Sequence, residues 1–268
     1  MLSLIRLFDA LPTFKGKSRI ERFIIELSSP KPMMTRFGFF MILDPREYTE
    51  LELIKDSAPE PFTMLLINKL LSPSDHFVDI GAHVGTMSLL AAQVVGGSGK
   101  VVSVDPQPYN CNKILINAES NNYKNVVVVC AACGPPSESL TLYSQNETDK
   151  SRLTLAGTGV NDSEFKFVTS VMSLDYIVSQ FSSDSRSITL KIDVEGYELM
   201  VLLSGLNAIA CIDNIILEIL PVCDPADVTQ IVEILLDSGY NLFTVGGEQW
   251  SIGNFLPENN LWASKNKC

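Results

Sequence analysis

Phe77-Val78-Asp79-Ile80-Gly81-Ala82-His83-Val84-Gly85 reads as a buried strand that runs into a glycine turn and opens a helix. Val78 and Ile80 supply β-branched strand residues, and Gly81 and Gly85 keep the turn clear of side chains. Val84, Met87, Leu90, Ala91 and Val94 then recur at helical spacing. A backbone this bare at the carboxyl end of a strand lets a ligand come close. In an open α/β sheet the crevice there is where nucleotides bind, facing the free N–H groups of a helix amino end.

The dinucleotide pattern G-x-G-x-x-G would need glycine where His83 stands. What remains, D-x-G-x-x-x-G, resembles the first motif of the S-adenosylmethionine-dependent methyltransferases. An adenosyl sulfonium has no pyrophosphate to cradle, so fewer glycines are needed, and Asp79 can face the amino-acid portion of such a cofactor.

Working outward, the next strand Val101-Val102-Ser103-Val104 ends on Asp105-Pro106, some twenty residues past Gly85. A carboxylate there can accept hydrogen bonds from both ribose hydroxyls of an adenosine lying across the first strand. Asp105 is also a good helix cap, with Pro106 behind it, so a capping role stands beside the ligand role. The third strand closes on Cys130-Ala131-Ala132-Cys133-Gly134, whose small residues, Ala131 first, leave room for a flat ring. Further on, Leu190-Lys191-Ile192-Asp193-Val194-Glu195-Gly196-Tyr197-Glu198 delivers Asp193 and Glu195 to the carboxyl edge that already carries Asp79 and Asp105. Four acids at one edge repel each other, and such a cluster is seldom kept for stability.

The alternation of strand and helix from His76 onward predicts right-handed crossovers and a parallel sheet. Strands are expected at 77–80, 101–104, 126–130, 139–143, 165–171, 188–192, 214–219, 241–245 and 260–263. Helices are expected at 84–95, 107–119, 197–203 and 226–237. Two consecutive strands at the end predict a seven-stranded mixed sheet, helices on both faces, in which only the terminal strand runs antiparallel.

Residues 1–60 read as an N-terminal appendage: a short amphipathic helix (Leu2, Ile5, Leu7, Phe8), a basic stretch Lys15–Arg19, a proline-broken Pro30-Lys31-Pro32, and a hairpin or edge strand at Phe37–Leu43. Residues 61–268 form the main domain. The polar segment Gln145–Glu164 is long for a compact domain, and such loops are functional or disordered. It is expected to border the acceptor site.

Composition limits the partners. The 268 residues are 46% hydrophobic, enough for a large core, and 20 Lys+Arg against 31 Asp+Glu give a formal charge of -11. That charge opposes duplex nucleic acid as partner. No apolar run approaches a membrane span, and the expected setting is the cytoplasm. Six scattered cysteines and two histidines supply no zinc set, so the thiols are expected reduced.

At this point the chain resembles the FkbM-type methyltransferases over about residues 35–264. The matching stretches are Asp79–Gly85, Asp105-Pro106 with Pro108 and Asn117, Ser173-Leu174-Asp175, and above all Lys191–Glu198 through Val201-Leu202-Leu203-Ser204-Gly205. The resemblance implies a class I, Rossmann-like methyltransferase fold, S-adenosylmethionine as donor, and O-methylation of a hydroxyl on a sugar or natural product. His83 stands where the family commonly has Asn, and Asp105 where it commonly has Glu.

The expected cofactor residues are therefore Asp79, Gly81, His83, Gly85, Asp105, Pro106, Ala131 and Asp193. Methyl transfer from a sulfonium needs alignment of the acceptor and help with its proton. Asp193, Glu195 and His83 are the candidate bases, with the Asp193/Glu195 pair favoured. Paired acids can alternatively hold Mg²⁺, and spacing alone does not decide between the two. The rival readings are a non-catalytic cofactor-binding scaffold and an N-methyltransferase on a small molecule.

Overall fold

A computed structural model describes residues 5, 7, 10–56, 58–137, 139–144, 153–155, 165–181, 186–221 and 223–265, with the backbone alone at 144, 153–155 and 165–167. The chain opens with helix α1 (Lys17–Glu26), strands β1 (Lys31–Met34) and β2 (Phe40–Leu43), and helices α2 (Tyr48–Asp56) and α3 (Pro61–Leu70). Then come β3 (His76–Ile80), α4 (Thr86–Val95), β4 (Lys100–Asp105), α5 (Pro108–Ser120) and β5 (Val126–Cys130). Short strands β6 (Ala132–Cys133), β7 (Leu140–Ser144), β8 (Leu153–Leu155), β9 (Phe165–Thr169) and β10 (Val171–Met172) follow. Helix α6 (Leu174–Ser179), β11 (Ile188–Ile192), α7 (Glu198–Leu203), α8 (Leu206–Cys211), β12 (Asn214–Glu218), α9 (Pro225–Asp237), β13 (Asn241–Thr244) and β14 (Asn260–Ser264) complete it.

Seven strands form the central sheet in the order β13-β14-β12-β11-β3-β4-β5. All neighbours are parallel except that β14 lies antiparallel between β12 and β13. This is the expected mixed sheet of a class I methyltransferase fold. Strand alternation divides the core between its two faces. Val78, Ile80, Leu190, Ile192, Ile215 and Leu217 pack with α7, α8 and α9. Phe77, Val101, Ile216 and Trp262 face the other way, against α3, α4 and the N-terminal hairpin. Phe39, Met41, Leu43 and Ile54, from the first sixty residues, are buried in that same cluster.

Two sequence expectations change. Pro30-Lys31-Pro32 is not simply a proline break: β1 contains Pro32, paired with Ile42 of β2. A two-stranded ribbon has an open edge on each strand, so a residue without an N–H can be carried there. The single stretch expected at 165–171 is cut at Ser170 into β9, which joins β7 and β8, and β10, which pairs with β6. Leu2, Phe8 and Gln145–Glu164, β8 excepted, lie outside the described residues. Among the described residues no helix is long and apolar enough to cross a membrane.

Helix α3 has its first turn capped from the far end of the chain. Glu258 accepts hydrogen bonds from the N–H groups of Phe62 (2.9 Å) and Thr63 (2.8 Å) and from the Thr63 hydroxyl (2.8 Å). A carboxylate satisfies orphan amides and complements the dipole at a helix start.

Candidate active site

Because β3, β4, β11 and β12 run parallel, their carboxyl ends share one edge, and the chain reverses its order of addition between β3 and β11. Ligand crevices of open α/β sheets lie at that switch point. A cavity of about 390 Å³ opens there, lined by Asp79, Gly81, His83, Asp105, Pro106, Ala131, Asp193 and Glu195 among others. Its size falls in the range of small-molecule sites. Of the residues expected to contact a cofactor, Gly85 is not part of the lining. It begins α4 with φ 91°, and a Cβ there would stand 3.0 Å from Ile114 Cγ1.

Gly81 has a different duty from the one its sequence context indicates. With φ 83°, its backbone lies so close to Asp193 that a Cβ would come within 1.7 Å of the Asp193 carbonyl oxygen. The Asp193 N–H donates to the Ile80 carbonyl at 2.9 Å, and the N–H groups of Gly81 and Ala82 both reach the Val104 carbonyl. The glycine lets three strand ends converge, and their convergence forms the floor of the cavity.

Asp79 shares the strand face of Phe77 and is 2% exposed. Ser88 Oγ of α4 donates to its Oδ2 at 2.5 Å, and Ser103 Oγ donates to Ser88 Oγ at 2.7 Å. Burial pushes the Asp79 carboxyl up to about 6, against the pull of Lys191 and Ser88.

Asp105 is equally enclosed. Its Oδ2 accepts the His83 N–H at 2.9 Å, and its Oδ1 accepts the Gln107 N–H at 2.8 Å and Asn110 Nδ2 at 3.0 Å. Asp105 thus braces the turn into α5 without being its cap, which is Gln107 ahead of Pro108, and Oδ2 keeps one lone pair for a ligand. Burial outweighs the three hydrogen bonds and lifts the carboxyl to about 7. His83 stands at φ 51° with its ring Nε2 3.1 Å from Thr49 Oγ1 of α2, so its backbone serves Asp105 while its ring reaches the N-terminal segment.

The acidic end of the cavity centres on a residue that the sequence reading quoted without giving a role. Lys191, 2% exposed, lies with Nζ 2.6 Å from Asp193 Oδ2 and 3.8 Å from Glu60 Oε2. Burial alone would lower the ammonium, but the charges of Asp193, Glu60 and Asp79 outweigh it and raise it. Burial likewise opposes ionisation of Asp193, but Lys191 wins and holds it below the usual carboxylate range. Glu218, the last residue of β12, is lifted to about 9 by burial and by the Asp193 charge. Its Oε2 is buried without a hydrogen-bond partner among the described residues. Glu60, which accepts from Asn260 Nδ2 at 2.8 Å, is raised mainly by burial. Glu218 could have been found in the sequence, since Asn214-Ile215-Ile216-Leu217-Glu218 repeats the apolar-strand-then-acid pattern of Asp79 and Asp105. Glu60 gives no such local signal.

Glu195 lies half-buried at φ 56°, followed by Gly196 at φ 97°. A non-glycine residue in that region is held there by its surroundings. Here Glu198 does so, accepting the N–H groups of Val194 (3.2 Å) and Gly196 (3.0 Å). Tyr197 lies over Gly134, where a Cβ would meet its ring at 2.8 Å, and both Tyr197 and Ala131 wall the cavity.

An adenosine-bearing cofactor fits this chemistry: small residues on one wall, an acceptor lone pair at Asp105, and ionisable groups at the opposite end. A divalent cation does not. The Lys191 ammonium already lies at hydrogen-bonding distance from Asp193, one of the two paired acids, and would repel it. Among the described residues no group of three or more His, Cys, Asp or Glu side chains is arranged to hold a metal ion.

Comparison with known proteins identifies the family. The profile of the methyltransferase FkbM domain matches residues 79–242, more than half of the chain. No curated protein matches. Among solved structures, the fold is similar to methyltransferase FkbM from Methylobacillus flagellatus KT, at 17% identity and a TM-score of 0.47. That match covers 73% of this chain and 45% of the other, so the chain spans less than half of that protein. A methyltransferase from Streptococcus mutans in complex with SAH is 8% identical over 76% of this chain and 94% of that one, with a TM-score of 0.45. An S-adenosylmethionine-dependent O-methyltransferase from Thermotoga maritima is 12% identical over 91% and 81%, with a TM-score of 0.44.

Proposed function

Since the chain belongs to the methyltransferase FkbM domain family, we propose that it is an O-methyltransferase acting on a hydroxyl of a saccharide or other small molecule, with S-adenosylmethionine as donor. One observation carries the reading. A single cavity joins strand-end acids from four neighbouring parallel strands, Asp79, Asp105, Asp193 and Glu218, beside the half-buried Glu195.

When bound, the cofactor supplies a methyl group already activated on a sulfonium. Asp105, Pro106 and Ala131 hold its adenosine end in this reading, and Asp79, Gly81 and His83 line its path toward the amino-acid end. Asp193 and Glu195 face the acceptor, orient its hydroxyl and take up its proton. Glu195 is the better placed to accept that proton, because the Asp193 carboxylate is engaged by Lys191. A base in this position contributes about two to four orders of magnitude. The formal charge of -11 favours neutral or cationic acceptors over polyanions. Residues 1–60 act as a cover for the cavity, to which Thr49, Glu52 and Leu53 of α2 contribute.

The test is a screen of hydroxylated small molecules for release of S-adenosylhomocysteine, with the product identified by mass. A methyl ether is the expected product. Glu195→Gln and Asp193→Asn should lower turnover far more than cofactor affinity. A methylated amine as sole product would replace this reading with N-methylation. Cofactor binding without turnover on any acceptor class would favour a scaffold.

A further inference from the structure

Helix α1 presents two apolar sides. Ile24 packs inward against the core, and Glu21 Oε1 lies 3.1 Å from Lys55 Nζ of α2, which fixes the helix to the body of the protein. The outer side carries Ile20, Phe23 and Leu27 at i, i+3 and i+7, respectively 46%, 61% and 61% exposed. Leu11 and Phe14, on the segment leading into the helix, are exposed as well. This stripe is bordered by bases. In a chain of net charge -11, residues 11–27 hold Lys15, Lys17, Arg19 and Arg22 against two acids, Glu21, which Lys55 neutralises, and Glu26. Among the described residues no carboxylate pairs with Lys15, Arg19 or Arg22.

We propose that residues 11–27 dock the protein on the surface of an anionic lipid bilayer, with α1 lying in the interface. Such a surface is negative at its headgroups and apolar just beneath, which matches bases flanking an apolar stripe. Other occupants satisfy half of the pattern. A nucleic acid would take the charges and leave Phe23 and Leu27 in water. A second copy meeting this face across a two-fold axis would set the same bases against each other. At ten residues α1 is about 15 Å long, half the hydrocarbon thickness, so it lies on the membrane and does not cross it.

The experiment is co-sedimentation of the full chain with phosphatidylcholine vesicles that either contain or lack phosphatidylserine. Binding should be about tenfold or more stronger to the serine-containing vesicles, and should weaken as added salt shortens the Debye length. The double variants Phe23→Asp/Leu27→Asp and Arg19→Glu/Arg22→Glu should each reduce it about tenfold without moving the melting temperature, because all four side chains are exposed. If the apolar double variant fails to fold, the arginine pair carries the test alone. Absence of binding to anionic vesicles would overturn the proposal, as would variants that bind like the parent. So would a dimer in light scattering that Phe23→Asp/Leu27→Asp dissolves, since the stripe would then belong to a second copy.

Discussion

Nζ of Lys191 lies 2.6 Å from Oδ2 of Asp193, and this one contact sets the charge balance of the whole carboxyl edge. Removing one partner of a buried pair costs about 3–5 kcal/mol, because the other is left uncompensated. Lys191→Met should lose stability of that order at pH 7.5 and clearly less at pH 5. In the variant the two Lys191 contributions that oppose burial of Asp193 are gone and only the smaller ones of Glu218 and His83 remain, so burial raises its folded pKa above the unfolded value. Such a group favours the folded state at low pH and loses that contribution as pH rises. Urea unfolding at the two pH values decides, and an equal loss at both would show that Lys191 acts by packing alone.

Glu218 should behave in the opposite way. Pushed up to about 9 by burial and by the Asp193 charge, it is protonated near neutrality, and as an acid it can donate to Asp193. An amide can donate in its place, so Glu218→Gln should change stability by less than about 1 kcal/mol at pH 7. A loss of several kcal/mol in thermal melts would mean that Glu218 is ionised there.

Asp79 and Asp105, raised to about 6 and about 7 from 3.8, carry a signed prediction for the cofactor-free protein. Both folded pKa values exceed the unfolded ones, so their contribution is fully present below about pH 4 and is lost as pH rises through 6 and 7. Asp79→Asn should roughly halve that decline between about pH 4 and 6, and Asp105→Asn should do the same there and also abolish it between about 6 and 7, as read from unfolding midpoints across pH 4–8.

Asp105→Ala should weaken S-adenosylmethionine binding by about 1–3 kcal/mol if Oδ2 accepts a ribose hydroxyl. Ionised Asp105 accepts better, so affinity in the parent protein should also rise with pH through about 7. An unchanged dissociation constant by calorimetry would remove Asp105 from the ribose site.

The two glycines of the opening motif should separate sharply. Gly81→Ala places a methyl 1.7 Å from the Asp193 carbonyl at φ 83°, a clash of backbone with backbone, and soluble folded protein is not expected. Gly85→Ala meets only the flexible edge of Ile114 at 3.0 Å and should fold with a cost of about 1–2 kcal/mol. Comparable melting temperatures for the two would contradict the packing described around Gly81.

The sheet was readable in the sequence because Val78/Ile80, Val102/Val104 and Leu190/Ile192 alternate with residues of the other face while helix-spaced apolar residues separate the strands. Class and family followed from the same stretches. The acids at strand ends were readable individually, since each closes an apolar run. What binds them together was not. Lys191 sits inside a buried run, and only its neighbours across the sheet show that its charge is shared by Asp193 and Glu60. Glu60 reaches the site from the N-terminal segment and is placed by Asn260, two hundred residues away, a pairing with no local trace. Gly81 looked like room for a ligand, yet it makes room for the backbone of Asp193.

The antiparallel β14 also dictates an order of events during synthesis. Strand β13 reaches the central sheet through β14, which in turn pairs with β12 and is tied to it by Trp262 Nε1 donating to Asn214 Oδ1 at 3.2 Å. Residues 241–244 leave the ribosome before the neighbour that seats them exists. Until residues 260–264 emerge, the apolar edge of β12 stays open to any passing strand. A ribosome pausing in the intervening loop, or a chain cut there, would hold the protein in its most aggregation-prone form with every residue of the FkbM match already made.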